Sequence, residues 1–545
     1  MSRTADTSIA GLAIILAAAS LACLWLCWST VHIEKLWLQN YGFFFDPAAY
    51  YVMNIEILTR LEHQGLVPTL LAEILDNPRC PARTVPYLLL CPQLLSTLMG
   101  HMWSEMPLVW GFLTLFCMTV YKRTASLFFA LAASATFVAL PMLYNPFYGL
   151  AAYWLDIPAA CAIGLASLCL IRYLEDRHLG WMAAFGAFSA LTALCRWSAT
   201  FYLLAFLSFA VPIAIIARPT RAYFRHTTIA TVLALLLATP GIAFAVRHLP
   251  SNVGYYQRNG YAFGATLSQS FAWTGFALQE MIGVVLLVLF AFLVVRNALL
   301  MWRCSESVDE RRITLIALWY PISILLFVCV IVKAVDGYHP LVYIAPALMV
   351  AAFCPLNRVP VLCGKAAICS IALLALSVAL SAHSYKLYWR MANLLHAAAR
   401  LDRELDQKLA MEIASAGCDN FAQLDAERCM PLLELFYYQH RRVRFEALFS
   451  IHEAYLKSRY PNHSPATMGK VVYAKANATM PLLAVFATPS DARKPGMFDN
   501  PYSAEVAFYI SQQIKDDPTW EFRKTISGPR ANLSIYINRN LQAAQ

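Results

Sequence analysis

Charge is what this chain has least of. Only 14% of its 545 residues are Asp, Glu, Lys or Arg, against about 25% in an ordinary soluble domain. The shortage is uneven. From Ser384 onward there are 20 Lys/Arg and 16 Asp/Glu, about half of all the charges, and the rest are scattered between long apolar runs. Other signatures are missing altogether. With no Lys/Arg-rich block interleaved with aromatics, nucleic-acid binding is excluded as the primary role. There is no CxxC pair, no HExxH and no Gly-rich phosphate loop, so zinc-ribbon, zincin and P-loop chemistry drop out. Most of the fifteen cysteines sit in apolar runs, where Cys behaves as a small hydrophobe. Cys80 with Cys91, and Cys418 with Cys429, remain open as pairs.

What is abundant is apolar sequence, 59% of the chain. Crossing a bilayer takes about 20 mostly apolar residues. Runs of this kind lie near Ser8–Ser29, Met106–Tyr121, Ala125–Leu143, Ile157–Tyr173, Gly180–Cys195, Ser198–Ala217, Thr227–Val246, Gly275–Val295, Ile313–Val332, Tyr338–Phe353 and Ala366–His383. The expected fold is a polytopic α-helical membrane protein of about eleven transmembrane helices over residues 1–383, followed by a soluble α/β domain over 384–545, in which Leu387–Ser415 and Arg444–Ser458 read as helices and Lys470–Ala474, Pro481–Thr488, Trp520–Ile526 and Asn532–Ile537 as strands. Ser8–Ser29 reads as an anchor, being long for a signal core. Val85–Gly100 contains Pro86 and Pro92, and reads as a helix lying at the interface.

Positive charge gives the orientation. Of the 17 Lys/Arg between Gly100 and His383, 13 fall in loops on one side under this scheme, among them Lys122, Arg123, Arg172, Arg177, Arg311 and Arg312. Only Arg196, Arg247, Arg258 and Lys333 fall on the other. Because Lys and Arg concentrate in cytoplasmic loops, the N-terminus is expected inside and the C-terminal domain outside. The external loops are then 30–105, 144–156 and the Tyr- and Gly-rich 247–274.

Ionisable groups within a membrane are costly, and so mark candidate sites. Here the span interiors are almost free of them, and the unusual charges collect at external helix ends. Asp46 stands in an aromatic loop, Phe43-Phe44-Phe45-Asp46-Pro47-Ala48-Ala49-Tyr50-Tyr51. Asp156 opens the fourth span, and Arg196 ends the fifth. Asp336 and His339 precede the tenth. Carboxylates at such a surface can take a proton from an acceptor, and an arginine can hold a phosphate by charge-assisted hydrogen bonds. Asp46 and Asp156 also fit helix capping, and Arg196 fits a snorkelling anchor.

The order of these features resembles the GT-C superfamily of membrane glycosyltransferases, in particular the branch of aminoarabinose lipid A transferases and protein O-mannosyltransferases. The matching residues are Asp46 with Tyr50 and Tyr51 after the first span, the Pro-containing stretch Arg83–Gly100, and Lys122-Arg123 closing the second span. They continue with Asp156 after the third, Arg196 at an external turn, and Gly337-Tyr338-His339-Pro340 before a Pro-containing span. The resemblance implies transfer of a sugar from a polyprenyl-phosphate donor to a lipid, glycan or protein acceptor on the non-cytoplasmic face. By it, Asp46 and Asp156 are the catalytic acids, and Arg196, Arg258 and His339 the donor-phosphate contacts. Tyr50, Tyr51, Tyr255 and Tyr256, with Tyr261, contact substrate. A divalent metal is left open. Membrane lipids are expected neighbours, nucleic acid is not, and an Ala-rich chain with compact loops points to a bacterial inner membrane. Competing classes are a flippase or transporter of lipid-linked sugars, an O-antigen ligase or polymerase, and a receptor acting through its soluble domain.

Overall fold

The structure is a computed structural model. It describes residues 9–41, 45–75, 81–96, 100–146, 149–150, 155–196, 198–216, 221–258, 266–304, 308–332, 339–355, 365–394, 407–416, 420–423, 444–447, 464–479, 482–487, 509–510, 512–527 and 532–542.

Helices dominate. In chain order they are α1 (Ile9–Tyr41), α2 (Phe45–Gln64), α3 (Leu66–Leu75), α4 (Pro81–Leu90), α5 (Gly100–Thr124), α6 (Leu127–Val138), α7 (Asp156–Asp176) and α8 (Leu179–Cys195). There follow α9 (Ala199–Ile216), α10 (Arg221–Arg258), α11 (Leu267–Ile282), α12 (Val284–Cys304), α13 (Val308–Leu326), α14 (His339–Val342), α15 (Ile344–Phe353) and α16 (Lys365–Leu394). Six helices are long and apolar enough to cross a membrane: Ile9–Ile33, Asp156–Asp176, Arg221–Ala243, Val284–Trp302, Val308–Ile331 and Ala367–Asn393. The protein is by this measure an integral membrane protein.

Of the eleven expected runs, six coincide with these helices; among the described residues five shorter apolar helices lie beside them, and Met106–Tyr121 lies within the 25-residue α5. Three of the expected runs are interrupted within their length. The run Gly275–Val295 is split between α11 and α12 at Gly283, which takes φ +83°, a conformation that side chains with a Cβ disfavour. The run Ala125–Leu143 stops at Val138, and a 3-10 turn begins at Pro141. Tyr338–Phe353 divides into α14 and α15. Val85–Gly100 contains the end of α4, with Pro86 inside it, and a 3-10 turn at Pro92–Ser96. Neither piece is long enough to span. Cys91 stands as a thiol among the described residues; its expected partner Cys80, and Cys418 and Cys429, lie outside them.

The bundle is organised around α7, whose residues Asp156 to Leu174 are all buried. Helices α5, α8, α9, α13, α14 and α15 pack on it. Pairing fixes the direction of its neighbours. Lys122 of α5 pairs with Asp176, Arg123 with Glu175 at 2.6 Å, and Gly111 lies against Leu165, so α5 and α7 run parallel. Trp110 of α5 donates to Ser20 of α1 at 3.2 Å, and Glu105 lies within electrostatic range of Cys27, so α1 runs the opposite way. Trp25 donates to Ser381 and Tyr144 at 2.9 Å, and His32 pairs with Tyr385 at 3.1 Å, which sets α16 parallel to α1. Hence Asp156, Glu105 and the C-terminal end of α16 share one end of the bundle. Lys122, Arg123, Arg172 and Arg177 share the other.

That second end is an interlocked ion network. Arg123, its side chain 3% exposed, bridges Glu175 and Glu310 at 2.6 Å each. Arg172 pairs with Glu175 and Asp176 at 3.0 Å and lies 5.2 Å over the Trp181 ring. Asp309 accepts from Arg177 and Arg312. The α8–α10 contact is equally close-fitting, since a Cβ at Gly186 would overlap the Ala230 carbonyl.

The C-terminal part is a mixed five-stranded sheet, ordered β2-β1-β3-β5-β4, with strands β1 (Asn420–Gln423), β2 (Arg444–Ala447), β3 (Leu482–Ala487), β4 (Trp520–Ser527) and β5 (Asn532–Asn538). Here β1 pairs parallel with β2 and β3, while β5 pairs antiparallel with β3 and β4. The runs 481–488, 520–526 and 532–537, expected as strands, fall on β3, β4 and β5. Two expectations are corrected. Lys470–Ala474, read as a strand, lies inside helix α17 (Pro465–Thr479). Ser464 caps that helix, accepting from the Thr467 N–H, with Pro at its first position, and this local start signal outweighs the Val471-Val472 pair. Arg444–Ala447, read as the start of a helix, is strand β2, where pairing with β1 supplies the backbone partners. The expected helix 387–415 is helical at 387–394 and 407–415; 395–406 lies outside the described residues.

Two predictions follow from these contacts. Arg123→Ala removes the buried cation that Glu175 and Glu310 share; because Glu175 keeps Arg172 and Glu310 is partly exposed, the change should cost at most about 3 kcal/mol in thermal unfolding of the detergent-solubilised protein. In the C-terminal part, burial raises the Asp517 carboxyl, but hydrogen bonds from the Tyr473 hydroxyl, the Thr519 hydroxyl and the Thr519 N–H outweigh it, and the pKa falls below the ordinary 3.8. A depressed carboxyl stabilises the fold fully above its unfolded pKa, and the gain is lost as pH falls through the folded value. Asp517→Asn should thus speed amide exchange in α17 at pH 5 and above by no more than about 1 kcal/mol, because the site is partly solvated. The difference from wild type should vanish as pH falls below 3.8.

Candidate functional site

Asp156 is the first residue of α7, not its cap. Leu155 holds the cap position without a side-chain hydrogen bond, and the Asp156 side chain, 2% exposed, turns elsewhere. Its Oδ2 accepts from Nη1 of Arg196, and its Oδ1 accepts from the Tyr343 hydroxyl at 2.8 Å. The N-terminal end of α7 also favours a negative charge there.

Arg196 closes α8 in extended backbone geometry (φ −157°), which turns its side chain out of the helix path. Its Nε donates to Ser198 Oγ at 3.0 Å, so the guanidinium is held at two of its nitrogens. Its side chain is 21% exposed. Tyr343 stands between α14 and α15 and is buried. Its ring stacks on Tyr202 of α9 (centroids 4.2 Å, planes 11° apart), and Tyr202 meets Phe327 edge-on at 5.0 Å. Three separate elements thus converge: the start of α7, the α8–α9 turn and the α14–α15 junction.

The structure brings together Asp156 and Arg196, two of the residues singled out from sequence. The others are placed by backbone only. Asp46 lies in the first turn of α2, with Tyr50 and Tyr51 about one turn on, so the expected loop is a helix whose start Pro47 suits. Tyr255, Tyr256 and Arg258 form the last turns of α10. The expected loop from Arg247 therefore starts as helix, and α10 ends where Asn259-Gly260 follows, a sequence suited to helix termination. His339 opens α14. Tyr261 and Asp336 lie outside the described residues.

Two residues escaped the sequence reading. Tyr343 lies four positions beyond His339 in an apolar run, and nothing local marks it. Glu105 is buried on α5, within electrostatic range of Cys27 and Cys161. The register with α7 sets it level with Pro158, within one turn of Asp156. Its signal was present: an acid just inside the start of an apolar helix. In the segment after α2, Glu73 is also buried, accepting from Thr84 at 2.8 Å with Arg60 at 3.9 Å, and this ties α3 to α4. Among the described residues, no group of three or more His, Cys, Asp or Glu is arranged to hold a metal ion.

The fold and site define a helical membrane protein with an acid–arginine–tyrosine centre at a bundle end. No protein-family model matches the chain. No curated protein matches it either. Among solved structures it is similar to the arabinofuranosyltransferase AftD from Mycobacteria, at 12% identity and a TM-score of 0.45, over 94% of this chain. The chain spans 40% of the length of that protein. A likeness of this degree bears no functional weight.

Removing Asp156 takes the shared acceptor from Arg196 and from the buried Tyr343 hydroxyl. Because Arg196 is partly exposed, Asp156→Ala should lower thermal stability by about 1–3 kcal/mol. Asp156→Asn, which keeps an acceptor for Tyr343, should cost less in the same melts.

Proposed function

We propose that the protein is a GT-C-type membrane glycosyltransferase, moving a sugar from a polyprenyl-phosphate donor to a lipid, glycan or protein acceptor at the non-cytoplasmic face. The observation that carries this reading is the paired Asp156–Arg196 centre, partly open to its surroundings through Arg196, at one end of a bundle whose other end gathers the basic residues assigned to the cytoplasm. Under the positive-inside rule the centre then lies outside. So does the end of α16 that leads toward the C-terminal sheet, which would form the soluble domain beyond 384 and help bind the acceptor. The membrane would be a bacterial inner membrane.

In this reaction the bond between the anomeric carbon and the phosphate oxygen breaks, and the polyprenyl phosphate departs with the electron pair. The acceptor oxygen or nitrogen bonds to the anomeric carbon and gives up its proton. Charge grows on the leaving phosphate, so a fixed cation lowers the barrier. Arg196 is that cation, with Arg258 and His339 as further phosphate contacts. Asp46 takes the acceptor proton, with Asp156 in support. Tyr50, Tyr51, Tyr255 and Tyr256 line the substrate path. A transporter of lipid-linked sugars would favour carboxylates near the middle of the bundle. Glu105 instead lies near the Asp156 level, which supports the transferase.

The test uses purified protein in lipid, a panel of polyprenyl-phosphate sugars and membrane-extract acceptors. Wild type should release free polyprenyl phosphate, and Asp46→Asn should lower that rate at least about a hundredfold while keeping its melting temperature. Full activity in Asp46→Asn would remove that residue from the role.

A further inference from the structure

We propose that Tyr343 is a positioning residue for Arg196, acting through Asp156, and that the anion Arg196 meets is the phosphate of the polyprenyl carrier. The second half rests on the transferase reading above; the first rests on geometry.

Asp156 and Arg196 differ in what they present. The acid is enclosed at 2% exposure, while the arginine is 21% exposed. Of the two, the arginine is placed to meet a ligand. Asp156 could reach an acceptor only by giving up Arg196 and Tyr343, so its part is to hold rather than to react. Its two oxygens have separate duties, Oδ1 toward Tyr343 and Oδ2 toward Arg196. The tyrosine thereby sets the plane of the carboxylate, and the carboxylate sets the arginine.

Tyr343 is itself fixed from outside the pair. Stacking on Tyr202, backed by Phe327, holds the ring, and its backbone is the N-cap of α15. A hydroxyl carried by a stacked, buried ring has little freedom. Ser198 on Nε completes the restraint on the guanidinium. An arginine whose rotamer is already set gives up less freedom on binding an anion, which raises affinity without any added contact. The α14–α15 junction, which also carries His339, is thus tied to α7 and to the α8–α9 turn through one hydroxyl.

Tyr343→Phe deletes that hydroxyl and leaves the ring and its stack in place, so folding should survive. The experiment measures binding of a polyprenyl phosphate to the full-length protein in lipid nanodiscs, for wild type, Tyr343→Phe, Asp156→Asn, the double variant and Arg196→Lys. Transfer kinetics are recorded beside it. Tyr343→Phe should raise Kd about five- to tenfold and raise KM for the donor in proportion, with kcat within about twofold. The double variant should bind no more weakly than Asp156→Asn alone, because both changes act through one carboxylate. Arg196→Lys should lose most of the binding, since an ammonium cannot keep both restraints. A Tyr343→Phe protein that melts lower but binds normally would make the tyrosine merely structural and overturn the proposal. Additive losses in the double variant would overturn the route through Asp156. Absence of binding in the wild type would instead overturn the phosphate reading of Arg196, a different failure from the first two.

Discussion

A helix buried on every side has nowhere to put a charge except against another protein group. Helix α7 is in that position, enclosed from Asp156 to Leu174, and both of its ends are ionic. Over 21 residues it measures about 31 Å, enough to cross the hydrocarbon core. Neither end can rely on water for all of its solvation, so each must recruit partners from neighbouring helices. That requirement fixes where α5, α8 and α13 begin and end. Arg123 must meet Glu175 and Glu310, and Arg196 must meet Asp156. Apolar packing alone permits sliding along the helix axis; buried ion pairs do not, because a shift of one residue leaves a charge uncompensated.

The two ends solve the same problem differently. At the C-terminal end of α7, several acids and bases share one another, so that Glu175 serves two arginines and Asp309 two more. Such a network is a clamp with its central arginine sealed inside. At the N-terminal end Asp156 holds an arginine and a phenol, with Glu105 buried a turn away, and the arginine is partly open. The first arrangement spends its charge on holding helices together. The second keeps a cation at a surface, oriented by groups that are themselves buried, as anion recognition demands.

Much of the architecture was readable from composition. Long apolar runs gave the helices of the bundle, and the prolines at 86 and 92 gave a segment too broken to span. The scarcity of charge made Asp156 and Arg196 conspicuous, though 40 residues separate them. Other features were hidden for identifiable reasons. Gly283 sits in an otherwise uniform apolar run, and its break depends on a backbone angle rather than on hydropathy. Val471 and Val472 favour a strand locally, but lie in a helix begun by Ser464 and Pro465. Arg444–Ala447 becomes a strand because β1 is beside it, which no window of neighbouring sequence records.

By itself the sequence determined that this chain is a membrane protein with a charged C-terminal portion, because hydrophobicity is additive along the chain and needs no knowledge of contacts. It also marked which few polar groups stand at helix ends, since those are rare against an apolar background. Only the tertiary structure decided what those groups touch. Tyr343 is an ordinary aromatic residue in an apolar run until α14 and α15 bring it to Asp156, and Glu105 is a loop-edge acid until α5 buries it beside α7. A hydrogen bond depends on distance and direction between atoms, and for residues far apart in sequence those are properties of the packed helices alone.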